Sequence, residues 1–172
     1  MTNVFDDPRI TAVGLLFEAH AGLSTRFNAQ FEEHGLSAVE FEVITRLARS
    51  PGNQLRMTDL AAQTSLSTSG VTRVVDRMER DGLLTRQACP SDRRSSYAVV
   101  TAAGIERLNE TLPGHLQMIE QWFTGQLDPD ALAALLDGLR RVRDAAHPCA
   151  TAGSDDVSPD QQIVSSDGAT RL

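Results

Sequence analysis

The hydrophobic pattern of this chain changes period at Gly82. Before it, apolar residues recur at helical spacing; after it, two short alternating runs surround a polar, charged tip. Thr58 is read as the N-cap of a short helix over Asp59–Thr64, with Leu60 and Ala61 turned inward. Ser65-Leu66-Ser67 makes a turn. Ser67 then caps a second helix that runs to about Arg80, with Val71, Val74, Val75 and Met78 as its inward stripe, and Gly82 stops it. Leu83–Ala88 and Ser96–Val100 are expected to be strands joined by the polar loop Cys89-Pro90-Ser91-Asp92-Arg93-Arg94-Ser95. The pattern predicts a mostly α fold with a small β-hairpin wing: a winged helix-turn-helix.

The flanks are helical. Ile10–His34 carries Ile10, Val13, Leu16, Phe17, Leu23, Phe27 and Phe31 at helical spacing, and Gly35 ends it. Ser37-Ala38-Val39-Glu40 is a capping box that opens a second helix with Phe41, Ile44 and Leu47 on its apolar face. Pro51-Gly52-Asn53 is a turn. Thr101 caps a helix from about Ala102 that bears Ile105, Leu108, Leu112, Leu116, Ile119, Trp122 and Phe123. Pro113-Gly114 is expected to kink or break it. Asp128 and Pro129 open a last helix with Leu132, Leu135, Leu136, Leu139 and Val142. One small lobe cannot cover the stripes of both the first and last helices. Burial against a second copy about a twofold axis is the expected solution, and an intramolecular bundle the alternative.

The expected organisation is therefore a flexible N-terminus over 1–9 and one domain over 10–147. Within that domain lie a DNA-binding lobe over about 37–100 and dimerisation helices over about 10–34 and 101–147. A disordered tail over 148–172 is expected because it is rich in Ser, Asp, Gly, Thr and Gln.

A net charge of −7 argues against nucleic acid until its distribution is examined. Between Leu55 and Tyr97 seven arginines face five acids, which leaves +2 there and −9 elsewhere. All 16 basic residues are Arg, the side chain better forked for phosphate and guanine. No apolar run is long enough to span a membrane, and the acidic, proline-containing start lacks the pattern of a signal peptide, so a cytoplasmic location is expected. Cys89 and Cys149 lack the spacing of a disulfide framework, a metal site or a redox motif. His20, His34, His115 and His147 are scattered without ligand spacing, so no metal and no cofactor are assigned. No enzyme signature is found, and no enzyme is expected.

The exposed face of the second motif helix carries Ser67, Thr68, Ser69, Thr72, Arg73, Asp76 and Arg77. Short hydroxyl side chains permit close approach to the major groove, and arginine can fork to a guanine edge. Asp92, Arg93 and Arg94 at the wing tip are suited to the backbone and minor groove, with Asp92 orienting a guanidinium.

From Met57-Thr58-Asp59-Leu60-Ala61 through Leu66–Leu84, then Pro90-Ser91-Asp92-Arg93-Arg94 and Val99-Val100-Thr101-Ala102-Ala103-Gly104, the sequence resembles the MarR family of winged-helix regulators. The resemblance covers roughly 10–147. It implies a homodimer with interlaced terminal helices, paired recognition helices on a pseudo-palindromic operator in double-stranded DNA, and usually repression. It also implies release by a small aromatic or lipophilic effector bound between the dimer helices and the DNA-binding lobe. Phe17, His20, Phe27 and Trp122 are the candidate effector contacts. Two other readings stay open. One is a winged helix that binds protein. The other is a thiol-based, redox-responsive regulator, although the first helix lacks the cysteine that branch of the family carries; Cys89 lies near Arg86, Arg93 and Arg94.

Overall fold

A computed structural model describes residues 6–64, 66–89 and 92–151. Six helices and one three-stranded sheet follow in the order α1 (Pro8–Glu33), α2 (Ala38–Ala48), β1 (Gln54–Arg56), α3 (Met57–Thr64), α4 (Thr68–Arg80), β2 (Leu84–Cys89), β3 (Asp92–Val100), α5 (Ala102–Trp122) and α6 (Pro129–Ala146).

Helix α1 starts earlier than its apolar stripe suggests, inside the stretch expected to be flexible. Asp7 accepts a hydrogen bond from the Arg9 N–H, and Pro8 takes the first helical position, where its missing donor costs nothing. At α2 the capping box is formed: the Glu40 N–H donates to Ser37 Oγ, and the Ser37 N–H donates to Glu40 Oε2 at 2.8 Å.

The sheet holds one strand more than the hairpin. Strand β1 pairs antiparallel with β3, Leu55 opposite Ala98, and the sheet order is β1-β3-β2. Three residues between a turn and a helix are too few to show alternation, so only the partner strand reveals β1. The preceding turn places Gly52 and Asn53 in the left-handed region, at φ of 67° and 55°. Helix α3 then begins directly at Met57, and Thr58 is inside it rather than its cap. The hairpin is longer than predicted: Cys89 pairs with Asp92 across a register irregularity, so 92–94 continue the backbone of β3 where a loop was expected.

Of the kink or break expected at Pro113-Gly114, the break does not occur: helix α5 runs through Pro113 without ending. Tertiary packing outweighs the local cost. The buried Gln30 of α1 donates from Nε2 to the Thr111 carbonyl at 3.0 Å, and that amide lies 3.3 Å from where a Cβ on Gly114 would stand. The glycine thus leaves room for the contact that ties α5 to α1.

The core belongs to the lobe. Val43, Ile44 and Leu47 of α2, Leu60 of α3, Val71, Val75 and Met78 of α4, and Leu84 of β2 are fully or almost fully buried. Helix α2 is central, packed on α1, α3, α4, α5 and the sheet. At the base of the wing, the Leu83 carbonyl accepts from both the N–H and the hydroxyl of Thr101, which caps α5. The hairpin backbone also presses so closely on Gly104 that an added Cβ would lie 2.2 Å from the Leu83 oxygen.

Helix α6 buries no residue. Its end returns to the lobe: a ring nitrogen of His147 meets the Ala62 carbonyl at 2.9 Å, and Arg46 donates to the Ala150 carbonyl at 3.2 Å. Pro148–Thr151 forms a 3₁₀ turn against α3, so chain order extends past the boundary expected at 148. The rest of the expected tail, 152–172, lies outside the described residues.

Candidate nucleic-acid interface

Among the described helices, α4 has the sharpest division of faces. Val71, Val75 and Met78 point into the core, while Ser67, Thr68, Ser69, Thr72, Arg73 and Arg77 are exposed together on the other side. The Ser67 hydroxyl caps the helix by accepting from the Gly70 N–H at 3.1 Å. The Thr72 hydroxyl donates back to the Thr68 carbonyl at 2.8 Å. Arg73 makes no ion pair among the described residues. It stands as an exposed fork next to the positive, anion-favouring end of the helix.

Arg77 is placed by a contact the sequence did not reveal. Its Nε donates to Glu40 Oε1 at 2.5 Å, across 37 residues, and its side chain is half exposed. Glu40 is almost fully buried and also accepts from the Ser37 N–H and hydroxyl. Burial works to raise the Glu40 pKa, but the hydrogen bonds from Ser37 and Arg77 and the Arg77 charge outweigh it, so the carboxyl titrates below its ordinary range. A capping residue of α2 therefore aims a guanidinium of α4.

Asp76 and Glu79, the two acids on the same helix, are both paired. Arg86 of β2 reaches across the wing and binds Asp76 and Glu79 from Nη1, at 2.5 and 3.2 Å. Arg86 is thus turned toward α4, while among the described side chains Arg56 is a basic one that interacts with Cys89. Arg56 donates to Tyr97 Oη at 3.2 Å and feels the Cys89 thiol electrostatically. Cys89 itself is buried, its sulfur 3.9 Å from the Tyr97 hydroxyl. Sequence reading missed Arg56, which faces Tyr97 only because β1 exists. The side chains of Asp92, Arg93 and Arg94 at the wing tip lie outside the described residues.

The candidate effector contacts do not form one group within a single chain. Phe17 and His20 are exposed on α1, and Phe17 lies roughly 15 Å along the helix from Phe27. Trp122 is partly exposed, with the Arg26 guanidinium 3.8 Å above its ring. Phe27 alone reaches an aromatic cluster, edge-on to His115 at 4.7 Å. There Phe31 and Phe41 stack at 4.1 Å and both flank the His115 ring. Burial lowers the His115 pKa, so the ring is neutral at pH 7. Its Nδ1 and the nearby Gln30 Oε1 are buried without a hydrogen-bond partner among the described residues. Neither residue was singled out from sequence, because a lone His and Gln on helical stripes read as ordinary packing.

No helix among the described residues is long and apolar enough to cross a membrane, and no group of metal-ligating side chains gathers there. A family model described as "MarR family" matches residues 34–95, the lobe that contains α2 to the wing. The HTH-type transcriptional regulator MhqR of Bacillus subtilis is 30% identical over 74% of this chain and 86% of its own length. Among solved structures, AbsC of Streptomyces coelicolor, a MarR family transcriptional regulator, superposes with a TM-score of 0.77 at 29% identity, over 84% of this chain and 97% of that one. Sco3205 of the same organism, another MarR family regulator, was solved in complex with DNA. It gives a TM-score of 0.74 at 31% identity, over 78% of this chain and 88% of that one.

Proposed function

The chain belongs to the MarR family of transcriptional regulators, and on that premise we propose that it is a homodimeric repressor of a pseudo-palindromic operator in duplex DNA. The observation that carries this reading is the exposed face of α4. Three hydroxyls at the helix start are followed by Arg73 and Arg77 on a rigid element with its back in the core. Such a helix can enter the major groove with Arg73 on a base edge and Arg77, held by Glu40, on a phosphate. The wing residues Asp92, Arg93 and Arg94 serve the backbone and the minor groove beside it.

Two copies follow from the terminal helices. Ile10, Val13, Leu16 and Phe17 of α1 and Leu135, Leu136, Leu139 and Val142 of α6 are exposed in the single chain. Apolar stripes left exposed on two helices mark an interface, and a twofold dimer sets two α4 helices against two half-sites. We place the effector, a small aromatic or lipophilic molecule, against the Phe27, Phe31, Phe41 and His115 cluster. There the unpartnered Gln30 Oε1 and His115 Nδ1 offer it polar contacts. The protein acts in the cytoplasm, on the chromosome, and has no catalytic role.

The test is binding of the purified protein to the intergenic DNA beside its own gene at two salt concentrations, with footprinting. A protected pseudo-palindrome and an affinity that falls steeply with salt are expected. Salt-independent binding to a protein, with none to duplex DNA, would sink the reading.

A further inference from the structure

The recognition helix carries two carboxylates, Asp76 and Glu79, that face a polyanion if they are left free. Both are taken up by one residue of the wing. Arg86 Nη1 lies 2.5 Å from Asp76 Oδ1 and 3.2 Å from Glu79 Oε2, Nη2 donates to the Thr72 carbonyl at 3.3 Å, and the Arg86 N–H donates to Glu79 Oε1 at 3.1 Å. Thr72, Asp76 and Glu79 are spaced four and three residues apart, so they form one ridge of α4, and the planar guanidinium spans it. The Arg86 side chain is the most covered of the three ionic partners, 29% exposed against 49% for Asp76 and 37% for Glu79.

We propose that Arg86 is a positioning residue for DNA binding rather than a DNA contact. It offsets one of the two negative charges of the recognition helix and holds both carboxylates toward the wing, so that the groove meets Arg73 and Arg77 rather than the acids. The bare helix carries Arg73, Arg77 and Arg80 against Asp76 and Glu79. With Arg86 in place both acids are engaged from outside the helix, so neither draws Arg73 away from the groove, while Arg77 is held by Glu40. This inference rests on the DNA-binding reading. It adds that a basic residue of the basic segment serves by shielding and not by touching phosphate.

The experiment compares wild type, Arg86→Gln, the pair Asp76→Asn with Glu79→Gln, and all three changes together. Each is titrated against the operator selected from a random-sequence duplex pool and against the unselected pool, with thermal melting as the check of folding. Arg86→Gln is expected to weaken operator binding roughly tenfold. The triple variant should recover most of that loss, because the exposed carboxylates are gone. The Asp76→Asn, Glu79→Gln pair should bind at least as well as wild type.

If the triple variant stays as weak as Arg86→Gln, Arg86 contacts DNA itself and the proposal fails. Wild-type affinity in Arg86→Gln overturns it as well. Should Arg86→Gln not fold, the carboxylate pair decides alone: a tenfold weakening there means that the clamp is structural, and the proposal falls. Failure of the wild type to bind any duplex overturns the DNA-binding reading instead, which keeps the two outcomes apart.

Discussion

The lobe from α2 to β3 and the terminal helices α1 and α6 solve the burial problem in opposite ways. Five of the eleven residues of α2 are buried, and α4 hides Val71, Val75 and Met78 completely. Helix α6 buries none of its 18 residues, and α1 buries only Gln30 and Phe31 of 26. The lobe completes its core within one chain. The terminal helices carry stripes just as regular and leave most of them in solvent. Regular apolar periodicity therefore specifies a helix and a face, but not the molecule that covers the face.

The sharpest way to break this contrast is to charge the terminal stripe. Leu136→Asp with Leu139→Asp should give a monomer by light scattering and weaken operator binding by about 100-fold or more, because two linked half-sites become one. The lobe should keep its helical circular dichroism. A dimer with unchanged affinity would mean that the stripe is covered within the chain. The complementary change lies in the core: Leu60→Ala should cost about 2–5 kcal/mol in denaturant unfolding, since Leu60 is fully buried. A loss below about 1 kcal/mol would show that the lobe is looser than its packing indicates.

A smaller effect separates the two DNA elements. Arg73→Ala should remove about 1–3 kcal/mol of discrimination between the operator and a mismatched site, while Arg94→Ala should weaken binding to every duplex alike. A uniform loss for Arg73→Ala would reassign it to the backbone, and unchanged affinity for Arg94→Ala would exclude the wing tip. The smallest effect is in pH. His115 has a lowered pKa in the fold, so the unfolded chain takes up its proton first as pH falls through the ordinary histidine value of 6.5. Stability should decline below that point, and His115→Phe should flatten the decline between neutrality and the carboxylate range. The Glu40 contribution has its loss at lower pH. Its folded pKa is depressed, so its stabilisation is present above the ordinary value of 4.5 and disappears as pH falls through the folded one. An unaltered slope in His115→Phe would assign the decline to other groups.

Much of the site was legible because it is local. The Ser67 cap, the inward stripe of α4 and the exposed Thr68, Ser69, Thr72 and Arg73 are all fixed by a helical period and one hydroxyl. The Ser37–Glu40 box and the Asp128–Pro129 start are equally local, and the structure forms both. Reading failed where the deciding partner is distant. Strand β1 is only three residues long and exists because β3 pairs with it; Pro113 stays helical because α1 packs against α5. Glu40 was read as a capping residue, and its grip on Arg77 appears only when α2 crosses α4.

Period, caps and turn residues act over a few positions, so they settle where most of the helices lie, which face of α4 is free and that a hairpin follows it. Which charges on that face are paired depends on how distant elements pack together. Asp76 looked like an acid aimed at DNA until β2 brought Arg86 across it, and Arg77 looked free until Glu40 held it. An ion pair depends on a distance of a few ångströms between residues far apart in the chain, and no local pattern sets that distance.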